Sequence, residues 1–404
     1  MIPDFAIEHC HFMWLFKANL RITSMPLEDF MMQKKKGANL NTQSVLAMRS
    51  SGYYSQKTAG AKIAIDATQK LLEKALHSLP NSEILRFADF GCADGGTSQE
   101  LWYNIVKLIR ESGDNRPIEM IYTDLASNDF STLFKSMQGM GENSELAYQN
   151  KFEDIYVHGC GTGFHKQLMP SATLSLGFSA TAMHYVSEKP CQIKDHVHMV
   201  GANSSERMKF EEQALSDWES ILLARSKELV PGGKFVCINF GIDEKGQYLG
   251  NTGGHSMFEK FRDHWYGHLK SGIINEEEYI SATFPQHYRT VEEFCRPFSE
   301  SNSLVEKAGL RLNSCSTRLT KCPYRENYEN KKSDMTPSEY AKSLIPTTRS
   351  WSETVFRTAL VGRSPGEIDQ IVDSFYENYE NEVACNPDGH AMDYIHIVME
   401  IEKV

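Results

Sequence analysis

The sequence predicts an α/β fold with an open, mostly parallel sheet that is covered by helices on both faces. Strand-like and helix-like segments alternate through the first 240 residues, which is the pattern of strand–helix–strand units. Residues 87–97 read as a buried strand that turns through glycines into a helix. After Phe240 helix-like segments dominate, so the sequence also predicts an inserted helical cap.

The alternating elements follow one another in a regular order. A helix is predicted from about Thr58 to Ser78, because its apolar residues fall on or near one face. A further helix is expected from about Arg207 to Leu229. The predicted strands of this part are Ile84–Phe90, Ile118–Tyr122, Ala172–Phe178 and Lys234–Asn239.

The first strand leads into a glycine-rich turn. Gly91, Gly95 and Gly96 let the backbone adopt positive φ or pass close to a ligand. A helix with apolar residues on one face is predicted over Ser98–Ser112. A strand, a glycine turn and a helix N-terminus in this order predict a nucleotide-type crevice at the carboxyl end of the sheet.

The glycine spacing argues against a dinucleotide as the ligand. The fingerprint for NAD is G-x-G-x-x-G, whereas here the run is D-x-G-x-x-x-G-G. Asp89 and Asp94 would repel a pyrophosphate, but they suit the sulfonium and ammonium of S-adenosylmethionine. An ordinary strand-to-helix turn is the alternative interpretation of this segment alone.

Two later segments favour S-adenosylmethionine further. The second strand ends in Asp124-Leu125, and an acid at this tip is placed to accept hydrogen bonds from both ribose hydroxyls. Residues 229–233 read L-V-P-G-G, a turn into the fifth strand that is typical of class I methyltransferases. Each of the three motifs alone favours the class I methyltransferase fold moderately. Their order and their separation along the chain favour it strongly.

The segments after the fifth strand divide into cap and sheet. Helices are predicted over Phe258–Ser271, Thr290–Ala308 and Asp334–Arg363, with Pro346 expected to break the last. Strands are expected at Arg311–Arg318 and Met392–Ile401. The predicted organisation is an N-terminal arm (1–50), a ligand-binding core (51–240), a helical cap (241–310 and 325–385) and strands that complete the sheet (311–324 and 386–404).

Composition excludes several classes of partner. The net charge of −11 opposes nucleic acid, because phosphate binding needs a basic face. Apolar runs stay below about 18 residues, so no membrane span is expected. The nine cysteines show no metal-ligand spacing, and the first 25 residues make a poor secretory signal. We therefore expect a cytoplasmic protein without a metal.

The assembled motifs resemble the SABATH family of S-adenosylmethionine-dependent methyltransferases, from about Gly52 to Val404. Residues 89–92 match the family's D-L-G-C turn, and residues 124–134 match D-L-x-x-N-D-F-x-x-L-F. Residues 163–170 and 179–187 resemble the S-F-Y-x-x-L-x-P and S-S-x-x-x-x-W-L-S segments. The resemblance implies a class I, Rossmann-like, mostly parallel seven-stranded sheet and a small-molecule acceptor. Dimers are common in the family, which leaves a homodimer open.

Two departures from the family pattern concern the acceptor. On the register of residues 52–57, Gly60 stands where the family has a glutamine that holds the substrate carboxylate. Tyr185 replaces the tryptophan that shares this task. A benzoate- or salicylate-type acid therefore does not follow from the resemblance.

The resemblance also implies residues for the S-adenosylmethionine site. Tyr53 would close over this cosubstrate and Lys57 would pair with its carboxylate, although a packed tyrosine and a surface lysine are the ordinary alternatives. Asp89 would face the methionine ammonium, or else cap the turn, and Asp124 would bind the ribose. The remaining members are turn and wall residues. They are Gly91, Cys92, Ala93, Asp94, Gly95, Leu125, Gly163, Phe164, Ser179 and Ala180.

His184 and Tyr185 follow the fourth strand, where the reacting group is expected. Tyr185 would donate a hydrogen bond to a carboxylate, and His184 would do likewise or act as a base for an N–H acceptor; a core histidine is the alternative. Trp265 and Tyr288 would wall the acceptor pocket from the cap, unless they only form the cap core.

The sequence thus favours a methyltransferase that methylates a carboxylate oxygen of a small molecule. A nitrogen acceptor is the second hypothesis, because some family members methylate ring nitrogens. A non-catalytic partner subunit with the same fold is the third, since Gly60 and Tyr185 depart from the family pattern. A dinucleotide oxidoreductase is disfavoured by the glycine spacing.

Overall fold

The sheet is built from eight strands in a computed structural model that describes residues 48, 52–141, 143–331 and 334–404. The predicted arm, residues 1–50, lies outside this range except for Met48. In chain order the strands are β1 Leu85–Phe90, β2 Ile118–Asp124, β3 Ile155–Gly161, β4 Leu174–Ala180, β5 Leu229–Ile242, β6 Arg289–Thr290, β7 Leu310–Thr320 and β8 Tyr394–Lys403.

Helices precede β1 and occupy most of the segments between the strands. They are α1 Tyr53–Lys57, α2 Ala59–Asp66, α3 Gln69–Leu76, α4 Gln99–Glu111, α5 Phe130–Met137, α6 Ser204–Glu228, α7 Met257–Lys270, α8 Glu276–Ser281, α9 Val291–Ser299, α10 Leu304–Lys307, α11 Pro323–Asn330, α12 Pro337–Ala359 and α13 Pro365–Cys385. No helix of the described ranges is both long enough and apolar enough to cross a bilayer.

The sheet has the strand order β3-β2-β1-β4-β5-β8-β7, and the short β6 pairs with β5. The strands from β3 to β5 are parallel to one another, whereas β8 runs antiparallel between β5 and β7. The register places Phe240 opposite His396. The predicted α/β class and mostly parallel seven-strand path are therefore confirmed.

Alternating residues of the strands supply the two apolar layers. Phe87 stacks on Trp102 of α4 at 5.8 Å between ring centroids, on one face of the sheet. Phe90 meets Phe235 at 6.0 Å on the other face, where Trp218 of α6 is also fully buried. Side chains on both faces are buried, as a parallel sheet covered by helices requires.

Strand β3 is absent from the predicted elements. It is an edge strand with a largely exposed side-chain pattern and two glycines, so it lacks the apolar run that marks the central strands. The predicted break at Pro346 was wrong, because α12 continues through this proline from Pro337 to Ala359. Packing of α12 against α13 outweighs the local cost of the proline.

The other boundary differences come from local caps. The predicted helix over 58–78 is divided into α2 and α3, and the short α1 precedes it. The predicted helix over 290–308 is interrupted because Ser303 accepts hydrogen bonds from Val305 N and Glu306 N and begins a new turn, α10. Both predictions identified the helical segments and missed these interruptions.

Candidate active site

The glycine turn after β1 lies directly against the end of β4. Gly91 has φ of 78°, and a Cβ there would lie 2.3 Å from the Cβ of Ala182. Ala93 also has a positive φ, of 49°. The carboxylate of Asp124 accepts a hydrogen bond from Ala93 N at 2.8 Å, which stabilises this turn. Glycine at position 91 is thus required by both conformation and space.

Asp124 faces the main cavity from the tip of β2. Its second oxygen accepts from Leu125 N at 2.7 Å. Burial raises the pKa of Asp124, and the two backbone N–H groups oppose that increase. Each oxygen keeps a further lone pair, so the carboxylate can accept hydrogen bonds from a vicinal diol.

The carboxylate of Asp89 is buried and hydrogen-bonded to side chains of the protein. Its Oδ2 accepts from Ser98 Oγ at 2.6 Å and from Trp102 Nε1 at 3.0 Å. Burial raises the pKa of Asp89 to about 6, although both hydrogen bonds lower it. The residue lines a recess of about 10 Å³ beneath the turn, next to the main cavity.

Asp94 connects the turn to α1. Its Oδ2 accepts from Ser55 N at 3.2 Å and from Ser55 Oγ at 3.0 Å. The neighbouring Tyr54 lines both the main cavity and the recess, and burial raises its pKa to about 12. Asp94 therefore holds the helix that brings Tyr54 to the cavity.

The main cavity has a volume of about 400 Å³, within the range of small-molecule sites. One half, here called the donor half, lies at the ends of β1, β2 and β3. It includes Gly91, Ala93, Asp124, Leu125, Gly163 and Phe164. The other, here called the acceptor half, lies beyond β4 and beside α12, which packs with α7, α8 and α13 in a group of helices here called the cap. It includes His184, Tyr185, Phe240, Gln286, Tyr288, Trp351, Met392 and Tyr394.

A short antiparallel pairing builds the acceptor half. Tyr185 lies opposite Gln286 in an isolated bridge, and His287 N donates to His184 O at 2.9 Å. Tyr288 Oη donates to Gln286 Oε1 at 3.3 Å, which fixes the orientation of the buried Gln286 amide. Burial raises the pKa of Tyr185, so its hydroxyl remains protonated and able to donate.

His184 is a neutral imidazole. It is 2% exposed, and its Nδ1 is buried without a hydrogen-bond partner. Burial and the nearby His396 and Arg289 lower the pKa of His184 well below 6.5. The side chain is therefore a weak base at neutral pH.

The structure brings most of the sequence-predicted residues to the cavity or its recess. Those in the main cavity are Gly91, Ala93, Asp124, Leu125, Gly163, Phe164, His184, Tyr185 and Tyr288. Asp89, Cys92 and Ala180 line the recess. Those that line neither are Tyr53, Lys57, Asp94, Gly95, Ser179 and Trp265.

The residues outside the cavity have other contacts. Lys57 Nζ lies 6.0 Å from the centroid of the Tyr53 ring. Ser179 Oγ donates to Phe90 O at 2.9 Å and joins β4 to β1. A Cβ at Gly95 would lie 3.2 Å from Leu133 Cγ, so this glycine allows close packing against α5. None of these contacts faces the cavity.

Trp265 belongs to the cap core. It is fully buried, with its ring 5.0 Å from that of Phe356 and 5.8 Å from that of Phe375. The structure therefore does not place it on the acceptor wall, because its position on α7 faces α12 and α13. Tyr288 and the cap residue Trp351 supply aromatic rings that line the cavity.

Sequence reasoning missed Tyr54, Gln286, Trp351 and Tyr394 as lining residues. The departure from the family's glutamine at Gly60 was the sequence signal that could have indicated Tyr394, because a Cβ at Gly60 would lie 2.4 Å from Tyr394 Cε2. The tyrosine ring thus occupies the space beside position 60. Gln286 had no sequence signal, because its role depends on pairing with a segment far away in the chain.

Comparisons with known proteins agree with this architecture. A sequence profile described as "SAM dependent carboxyl methyltransferase" matches residues 47–404. Loganic acid O-methyltransferase of Catharanthus roseus is 26% identical over 262 residues, or 59% of this chain and 67% of that protein. The benzoic acid/salicylic acid carboxyl methyltransferase 3 of Petunia hybrida is 26% identical over 260 residues, or 60% and 69%.

A solved structure described as loganic acid methyltransferase with SAH is similar in fold. It superposes with a TM-score of 0.67 at 19% identity and covers 89% of this chain and 98% of that one. The profile match spans the donor half, the acceptor half and the sheet that carries them. The chain belongs to the SABATH family of S-adenosylmethionine-dependent carboxyl methyltransferases.

Proposed function

We propose that this enzyme methylates the carboxylate of a small organic acid held in the acceptor half, with Tyr185 donating a hydrogen bond to that carboxylate. S-adenosylmethionine, when bound, supplies an electrophilic methyl group on a sulfonium. The observation that carries the proposal is the chemistry of the acceptor half, whose Tyr185 and Gln286 are neutral hydrogen-bonding groups.

The fit of S-adenosylmethionine rests on the donor half. Asp124 presents acceptor oxygens to the cavity, and Gly91 allows a ligand to approach the backbone closely. Leu125, Gly163 and Phe164 add apolar and backbone walls suited to an adenine ring. The recess at Asp89 offers a carboxylate near the expected ammonium.

A carboxylate acceptor needs little from the protein beyond position and environment. It is ionised at neutral pH, so no general base has to remove a proton. The carboxylate oxygen would attack the methyl carbon while the carbon–sulfur bond breaks and the sulfur leaves as a neutral thioether, so the opposite charges of carboxylate and sulfonium are lost together. The largely aromatic walls of the acceptor half favour this loss of charge by excluding water.

The state of His184 favours oxygen over nitrogen as the acceptor atom. An N–H acceptor would gain from a base that takes its proton, yet burial holds the pKa of His184 well below 6.5. We therefore rank nitrogen methylation second. A cytoplasmic location and a homodimer stay predictions from the sequence.

The test is a comparison of Tyr185→Phe with the wild type, after a panel of small acids has identified an acceptor by transfer of labelled methyl. If the Tyr185 hydroxyl binds the acceptor, the KM for the acceptor should rise on the order of tenfold in Tyr185→Phe. The KM for S-adenosylmethionine should change little. Trp265→Phe, in the cap core, is the control. Equal changes in both KM values would place Tyr185 in the cosubstrate site instead.

A further inference from the structure

Helix α6 carries a buried ion pair behind the cavity that the reaction does not use. Arg225 and Glu228 have fully buried side chains, and Arg225 Nε lies 2.6 Å from Glu228 Oε2. A second contact joins Arg225 Nη2 to Glu228 Oε1 at 2.9 Å. A buried ion pair is by itself weak evidence for a contribution to stability, so its contacts decide its role.

The pair binds the backbone of the segment that follows β3. Arg225 Nη1 donates to Phe164 O and Nη2 donates to Lys166 O, both at 2.9 Å. Glu228 Oε1 accepts from Leu168 N at 2.5 Å and from Met169 N at 3.3 Å. The planar guanidinium donates to two carbonyls and to Glu228 at once, through a fixed fork of donors that a lysine ammonium does not have.

The same guanidinium also contacts the first strand. Its central carbon lies 4.1 Å from the centroid of the Phe90 ring, directly before the glycine turn. Residues 163–166 and Gly91 both line the donor half of the cavity. One side chain thus contacts both the loop after β3 and the strand that leads into the glycine turn, and that loop and turn both contribute residues to the donor half.

We propose that Arg225, held by Glu228, positions residues 163–169 for binding of the nucleoside part of S-adenosylmethionine. Arg225 is a positioning residue, because its contacts are with the loop backbone and Phe90. The inference rests on the cosubstrate and not on the identity of the acceptor. Its failure would leave the carboxylate assignment unaffected.

A second acid on the same helix offers a matched comparison. Asp217 accepts from Ser187 N at 2.8 Å and from Ser187 Oγ at 2.7 Å, so it holds the segment after β4, in the acceptor half. Its side chain is also buried and also binds a backbone group. It differs from Arg225 in its hydrogen-bond partners, which are Ser187 and Gln213 and not the backbone of residues 163–169.

The experiment is a calorimetric titration of the full chain with S-adenosylhomocysteine. Arg225→Lys should weaken binding on the order of tenfold, because the lysine keeps the charge but lacks the planar fork that binds both carbonyls and Glu228 together. Asp217→Asn should change the affinity less than about twofold. Thermal unfolding of each variant without ligand records any general loss of stability.

A double variant keeps the proposal testable if Arg225→Lys alone does not fold. Arg225→Gln combined with Glu228→Gln leaves no unpaired buried charge, and it should also weaken S-adenosylhomocysteine binding. Wild-type affinity in both Arg225 variants would overturn the proposal. An equal loss of affinity in Asp217→Asn would also overturn it, since the effect would then follow from α6 as a whole.

Discussion

At the scale of single residues, the acids near the glycine turn have separate tasks. Asp124 faces the cavity, Asp94 holds α1, and Asp89 is buried against Ser98 and Trp102. The sequence predicted all three as cosubstrate residues, Asp89 and Asp94 from the glycine turn and Asp124 from the tip of the second strand. Which acid faces inward depends on the packing of α1 and α4, and the motif does not encode that packing.

Asp89 should make stability depend on pH. Its folded pKa of about 6 exceeds the ordinary value of 3.8, so the folded state favours the protonated form. This contribution is present below pH 3.8 and is lost as the pH rises through 6. Between pH 4.5 and 7, Asp89→Asn should therefore gain roughly 2 kcal/mol of unfolding free energy relative to wild type, measured with urea.

The control for Asp89 is an acid with the opposite shift. Arg116 lowers the pKa of Asp114, so that carboxylate stabilises the fold above its ordinary pKa. Asp114→Asn should lose stability relative to wild type as the pH rises. A parallel trend in the two variants would show that the buried position of Asp89 does not control its titration.

At the scale of elements, central strands and motif-bearing turns were predictable, because burial on both faces leaves an apolar run in the sequence. β1, β4 and β5 have this pattern, whereas β2 alternates buried with partly buried residues. The edge strand β3 does not, and the uninterrupted α12 results from packing between helices. In the site, the donor half follows local motifs, whereas the acceptor half depends on contacts between distant segments such as Tyr185 with Gln286.

The contact between α2 and β8 leads to a prediction about Gly60. A Cβ there would lie 2.4 Å from Tyr394 Cε2, so Gly60→Ala should displace the tyrosine ring. We expect a loss of about 1–3 kcal/mol in unfolding free energy, the usual cost of overpacking. Denaturant unfolding measures it.

Gly267→Ala is the matched control for Gly60→Ala. Gly267 also lies within a helix, and a Cβ there would meet nothing within 4 Å. Alanine should stabilise this position by about 0.5–1 kcal/mol. If Gly60→Ala raised the unfolding free energy as Gly267→Ala does, the ring of Tyr394 would not be packed against α2.

At the scale of the whole molecule, ligand binding should stabilise the fold. S-adenosylhomocysteine at one hundred times its Kd should add about 2.7 kcal/mol of unfolding free energy and raise the Tm. NAD should leave the Tm unchanged, because the turn lacks its glycine spacing. Thermal scanning with each compound tests this expectation.

Asp124→Ala is the control for that thermal scan. Loss of its carboxylate removes the acceptor for Ala93 N and the oxygens that we propose bind the ribose, so S-adenosylhomocysteine should no longer raise the Tm. An unchanged response in Asp124→Ala would contradict the ribose assignment. A response to NAD in the wild type would contradict the choice of cosubstrate.

The pairing of β5 with β8 has a consequence for how acceptor range can change. Phe240 and His396 are neighbours in the sheet, yet the segments that supply Gln286, Tyr288 and Trp351 lie between them in the chain. Because those segments leave and rejoin the sheet at adjacent points, they can lengthen or shorten at little entropic cost, about 0.6 kcal/mol per doubling for a flexible loop. Insertions and deletions in those segments can thus change the shape of the acceptor half for a new substrate without changing the residues of the donor half.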